Sequence, residues 1–126
     1  MKNIAPVRAL AGLRALDLKF NTGVNKGPLS DLSPLSGMAL AFLAIDLTQV
    51  ADLRPLRGMP LKHLYMNDTE VSDLTALKGM LLEELGIANS PIADLSPLQG
   101  MPLKNLNCSG AATRFTDLSP LRGMPL

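Results

Sequence analysis

His63 and Cys108 are the only histidine and the only cysteine in this chain of 126 residues. Thiol chemistry would need the two within hydrogen-bond reach of each other. The periodicity of the chain places them two strands apart and pointing to opposite sides of one sheet, which forbids a nucleophile–base pair. One His and one Cys also fall short of a closed zinc site. Asp recurs at Asp31, Asp52, Asp73, Asp94 and Asp117, and stacked carboxylates can share a hard cation. Calcium-binding β-helices, however, carry Asp inside Gly-rich nonapeptide turns. Here each Asp stands two residues before Ser or its equivalent, where a short carboxylate bonds backbone N–H groups at the start of a helical turn. A column of Met38, Met59, Met80, Met101 and Met124 offers soft-metal chemistry only faintly, and its constant offset points to core filling. The residues give no catalytic set, no cofactor site and no metal site, so the expectation is a chain that is not an enzyme.

What must position these columns is a repeat. The ten residues Asp31-Leu-Ser-Pro-Leu-Ser-Gly-Met-Ala-Leu40 return in near copy at 52–61, 73–82, 94–103 and 117–126, with three steps of 21 residues and one of 23. A fixed period of this size, with Leu at fixed offsets, marks a solenoid in which each repeat forms one coil. Leu61-x-x-Leu64-x-Met66-x-x-Thr69-x-Val71 is the reference unit, matched from Leu40, Leu82 and Leu103 and, earlier, from Leu13. The boundaries that follow are a half repeat at 4–12, full repeats at 13–39, 40–60, 61–81, 82–102 and 103–125, and the start of a further repeat at 126. Residues 22–27 are extra and should form a projecting loop, and two extra residues precede Phe115. Leu-x-Leu alternates with period two and predicts a short strand, paired in parallel with its equivalents in neighbouring coils. Ser-Pro marks a helix start, with Ser as the cap and Pro at the first helical position. Gly after the second Leu suits the left-handed residue that ends the turn. So few residues separate these marks that a 3₁₀ turn or one helical turn is expected.

Composition sets outer limits. Hydrophobic residues make up 47% of the chain, which argues against disorder. The net charge of +1 argues against a non-specific nucleic-acid or anionic-membrane binder. The longest apolar run, 38–45, is far short of a membrane span. Arg8 and Arg14 interrupt the opening apolar stretch, so it reads as part of the repeat and not as a signal peptide. Cytoplasmic location is the default expectation.

The columns Leu-x-x-Leu-x-Leu-x-x-(Asn/Thr)-x-(Leu/Val/Ile) resemble the leucine-rich repeat family over nearly the whole chain. The 21-residue step, Thr for Asn, and Asp-Leu-Ser-Pro-Leu resemble its short bacterial, internalin-like class. The Gly-Met-Pro-Leu ending is similar to repeats of large bacterial proteins, some of which also carry kinase domains. The resemblance implies an α/β fold: a right-handed horseshoe solenoid with a parallel β-sheet on its concave face and 3₁₀ or short helical turns on the convex side. It also implies that the concave face binds another macromolecule, usually a protein. The chain departs from the family in lacking capping segments, in having Thr or Ser in place of an Asn ladder, and in having only five full units. The expectation is a fragment of a longer array, with uncapped ends able to associate end to end.

Residues flanking the buried Leu pair should point out of the concave face. They include Ala15, Lys19, Ala44, Gly86, Ala88 and Ser109, and nine that are candidates for binding a partner: Asp17, Phe42, Asp46, His63, Tyr65, Asn67, Glu84, Asn105 and Asn107. Phe42 and Tyr65 stand out as aromatic anchors. Asp17, Asp46 and Glu84 favour a partner with Arg or Lys. Arg54, Arg57, Lys62, Lys78, Lys104 and Arg122 lie outside the strands, with acids nearby and no stacking platform for nucleic acid. The expected function is a non-enzymatic protein–protein interaction module. The alternative is a structural spacer array within a larger multidomain bacterial protein, with no partner of its own.

Overall fold

The computed structural model of the chain describes residues 3–10, 12–21, 25–110 and 114–126. Five three-residue strands occur among them: β1 (Ala15–Asp17), β2 (Phe42–Ala44), β3 (His63–Tyr65), β4 (Glu84–Gly86) and β5 (Asn105–Asn107). They form one parallel sheet in chain order, with Leu16, Leu43, Leu64, Leu85 and Leu106 in register across it. Backbone bonding between coils continues past each strand end: Met66 N–H donates to Gly86 C=O at 2.9 Å and Asp68 N–H to Ala88 C=O at 2.7 Å. Each coil is therefore bonded to the next over more of its length than the three-residue strands span.

The return segments are 3₁₀ turns: η1 (Ala5–Ala9), η2 (Ser33–Leu35), η3 (Arg54–Leu56), η4 (Thr75–Leu77), η5 (Ser96–Leu98) and η6 (Ser119–Leu121). The expectation of Ser as cap is corrected here. In η2, η5 and η6 Ser is the first residue inside the turn, and the cap position is held by Leu32, Leu95 and Leu118, whose side chains cannot accept a bond. The Asp one residue earlier takes over the task. Asp31 accepts from Ser33 N–H at 2.8 Å, Asp52 from Arg54, Asp73 from Thr75, Asp94 from Ser96 and Asp117 from Ser119, all at 2.8–2.9 Å. Asp reaches the N–H two residues on in an Asx turn. This frees the cap position for a Leu that enters the core. From η2 to η6 the turns then close at Gly37, Gly58, Gly79, Gly100 and Gly123, with φ between +79° and +84°, where a side chain would be strained.

The core runs as columns between sheet and turns. Leu40, Leu61, Leu82 and Leu103 form one, Leu35, Leu56, Leu77 and Leu98 another, and Ile45, Met66 and Ile87 a third, all essentially inaccessible to solvent. Met59, Met80 and Met101 are buried, as the constant offset predicts. Cys108 belongs to the third column and packs against this core half-buried, as do Leu16, Leu18 and Leu106 in the outer coils. Where Asn would form a ladder, Thr48, Thr69 and Ser90 are buried. Thr48 and Thr69 hydroxyls donate back to Ile45 and Met66 C=O at 2.7 and 2.9 Å, and Ser90 reaches the same Met66 C=O at 3.1 Å. Among the described residues no buried side-chain polar atom lacks a partner, which satisfies what burial demands of such groups.

Of the extra segment at 22–27, residues 22–24 lie outside the described residues. Its flanks are bonded to the following coil, Phe20 N–H to Asp46 C=O at 3.0 Å and Gly27 N–H to Leu47 C=O at 2.7 Å. Lys26 reaches further, with its ammonium on Thr69 C=O at 3.3 Å and on the Glu70 carboxylate. No helix among the described residues is long and apolar enough to cross a membrane.

Candidate protein-binding face

Alternation along each strand turns the buried Leu inward and its two neighbours outward. Parallel register then lines the outward residues up in rows. The first row reads Ala15, Phe42, His63, Glu84 and Asn105, and the second reads Asp17, Ala44, Tyr65, Gly86 and Asn107. A third row follows the strands at the same step: Lys19, Asp46, Asn67, Ala88 and Ser109.

Three aromatic rings meet at the centre. The Phe42 ring lies 5.7 Å from Tyr65 and 6.3 Å from His63, both tilted, inside the range of favourable aromatic pairs. Phe42, His63 and Tyr65 are all half-buried. The rings shield one another and still present an edge to solvent. The Tyr65 hydroxyl donates to Glu84 Oε2, and His63 Nδ1 lies 3.6 Å from the same oxygen. The Glu84 carboxyl is held below its ordinary range, first by that hydroxyl bond and with smaller help from His63 and Asn105. The Tyr65 phenol is pushed up to about 12, first because its proton is held by Glu84 and then by burial. Sequence pointed to these four residues separately. The structure joins them into one unit across β2, β3 and β4.

Asp46 and Asn67 have a different occupation. Asp46 Oδ1 accepts from Asn67 N–H at 2.9 Å and from its Nδ2 at 2.7 Å, and Asn67 Oδ1 accepts from Ala88 N–H at 2.8 Å. The two side chains tie three successive coils where the backbone leaves the sheet, so much of their bonding capacity serves the fold. Asp17 is exposed and accepts from Lys19 N–H at 3.1 Å, with the Lys19 ammonium 3.4 Å away. Asn107 Oδ1 accepts from Ser109 Oγ at 3.0 Å, and Asn105 and Asn107 both remain exposed.

The rows are less uniform than alternation alone predicts. Ala44, Gly86 and Ala88 were expected to face outward into solvent, but they are buried. Small groups beside large ones lose solvent to their neighbours: Ala44 lies directly across from Tyr65, and the Asn67 carboxamide lies over Gly86 so closely that a Cβ there would come within 2.6 Å of Nδ2. Tyr65 and Asn107 flank a hollow of about 420 Å³, with Gly86 and the Asn67 carboxamide that covers it among its lining. Sequence reasoning missed this hollow. Its signal was the pair of small residues, Gly86 and Ala88, following bulky Tyr65 and Asn67 one repeat earlier.

Ion pairs also lie off the face. Arg54 bonds Asp52 at 2.8 Å and Lys104 bonds Glu83 at 2.9 Å. Among the described residues, no group of three or more His, Cys, Asp or Glu could hold a metal ion.

No family model matches the chain, and no curated protein does either. Solved structures do. An internalin C2 from Listeria monocytogenes strain 4b F2365 is 29% identical, with a TM-score of 0.80, over 98% of this chain. An internalin (inlF) from the same strain is 27% identical, with a TM-score of 0.83, over 96% of this chain. The chain spans 53% of the length of the first and 34% of the second.

Proposed function

The chain is a leucine-rich-repeat solenoid similar to the internalins, and from that premise we propose that it is a protein-interaction module whose sheet face binds a protein partner. The observation that carries this reading is the cluster of Phe42, His63 and Tyr65. Three rings half open to solvent stand on strands that five coils hold in register. Aromatic side chains on a rigid platform lose little conformational freedom on binding and are typical anchors of interfaces. The function is recognition without catalysis.

The test is capture followed by measurement. A partner retained by the wild-type chain is identified, purified and titrated against wild type, the Phe42→Ala/Tyr65→Ala double variant, and Arg57→Ala, which alters the turn side of the solenoid. Loss of an aromatic anchor is expected to weaken binding at least about tenfold, with Arg57→Ala unchanged. Equal affinity for the double variant, or no partner at all, would favour a spacer array with no partner of its own.

A further inference from the structure

Building on that reading of the face, we infer that the hollow over Gly86 is its specificity pocket and that it takes an arginine side chain of the partner. In the second row the profile falls from the Tyr65 ring to Gly86, whose backbone is covered only by the flat Asn67 carboxamide, and rises again at Asn107. Around it stand the polar side chains of Tyr65, Asn67, Glu84, Asn105 and Asn107, with Leu85, Gly86 and Leu106 also lining it. Its chemistry is one aromatic wall, one carboxylate and three carboxamides, without a lysine or arginine among the lining residues. Asn67 Oδ1 is already taken by Ala88 N–H and Glu84 Oε2 by the Tyr65 hydroxyl. The acceptors left for a ligand are chiefly the second Glu84 oxygen and the Asn105 and Asn107 carboxamides, and they call for a cation with several donors. Glu84 disfavours an anionic ligand.

Guanidinium fits this arrangement better than ammonium. It is planar, it carries five N–H donors in a fixed fork, and it stacks on aromatic faces. It can lie against Tyr65 while donating to acceptors on two sides. A lysine ammonium is a compact point charge that satisfies one cluster of acceptors at a time. The wider face agrees in sign: Asp17, Asp46 and Glu84 against Lys19 leave it two charges negative with His63 neutral. Association with a basic segment is therefore favoured before contact.

Tyr65 is the sole tyrosine and the chain has no tryptophan, so intrinsic fluorescence reports on this hollow directly. The full chain is titrated at constant ionic strength with N-acetyl-arginine methylamide and with the corresponding lysine and glutamine probes. Tyr65 emission and the backbone amide resonances of Gly86 and Asn107 are followed. The arginine probe is expected to saturate both signals at a concentration at least about threefold below the lysine probe, and the glutamine probe to give no saturable change. Glu84→Gln should weaken the arginine response at least about fivefold. Asp94→Asn makes the same change of charge on the turn side and retains an acceptor for the Ser96 N–H, so it should leave the response intact. Identical responses to the arginine and glutamine probes, an unmoved Gly86 resonance, or an unaffected Glu84→Gln variant would overturn the inference. A partner whose binding depends on Phe42 and Tyr65, together with no arginine response, overturns the pocket alone and leaves the face reading intact. A normal arginine response with no partner dependent on the face sinks that reading and supports only the pocket's ligand preference.

Discussion

Glu84 decides the character of the face because it accepts from a phenol and neighbours an imidazole at one oxygen. Its effect can be titrated. With Tyr65 alone contributing, tyrosinate absorbance should show a midpoint near 12, and Glu84→Gln should bring it down toward the ordinary value of about 10. A midpoint that ignores the substitution would mean that the bond is absent in solution. The linkage follows from direction. A phenol raised on folding stabilises the fold below its unfolded pKa and loses that contribution as pH climbs from about 10 toward 12. The carboxylates behave in the opposite sense. Asp31, Asp52, Asp73, Asp117, Glu83 and Glu84 are all depressed, Asp52 to about 2, chiefly through bonds from Arg54. Their contribution is complete above the ordinary carboxylate range and is lost as pH falls through about 4 toward 2. Denaturant midpoints measured across pH should therefore fall at both extremes and stay level between them.

Each turn from η2 to η6 depends on one residue that can stand in left-handed backbone. Gly58 has φ +79° and a Cβ there would touch nothing within 4 Å, so Gly58→Ala isolates backbone strain from crowding. It is expected to cost about 1–2 kcal/mol, the penalty of left-handed helical geometry for an L side chain. Gly12→Ala, where a Cβ likewise meets nothing and φ is not in that region, should change little. Urea unfolding of both variants checks the difference, and equal midpoints would remove the conformational reason for the Gly column. A second left-handed column follows the strands at Leu47, Asp68, Asn89 and Gly110, with φ +59°, +56°, +55° and +113°. Asp, Asn and Gly tolerate that region, but Leu does not. Nothing in the residue type at Leu47 announces this conformation; the neighbouring coils impose it, with Leu47 N–H held by Asn67 C=O at 2.9 Å and its own C=O held by Gly27.

For the molecule as a whole, burial grows from the ends toward the middle. Leu64 in β3 is fully buried, whereas its register partners at the margins, Leu16 and Leu106, are only half-buried. A coil in an array is stabilised by the interfaces on its two sides. Leu64→Ala is expected to cost about 2–5 kcal/mol, as for a fully buried leucine, and Leu16→Ala less than half of that. Thermal unfolding of the two variants tests this, and equal losses would show that stacking does not grade stability along the solenoid.

The coil was legible in the residues alone. Period, Leu alternation, Asp before the turn and Gly after it were all readable, because each answers to a local rule of backbone geometry that holds in every repeat. Sequence also separated His63 from Cys108 and named Phe42, Tyr65 and Glu84, because alternation in a strand assigns sides. Which outward residues stay open to solvent emerged only from the stacking of the coils. Asp46 and Asn67 are drawn into ties between coils, Ala44 and Ala88 are buried, and Gly86, covered by Asn67, lines a hollow. The physical reason is that exposure on a sheet depends on the sizes and bonds of residues 21 positions away, which no rule local to one repeat contains.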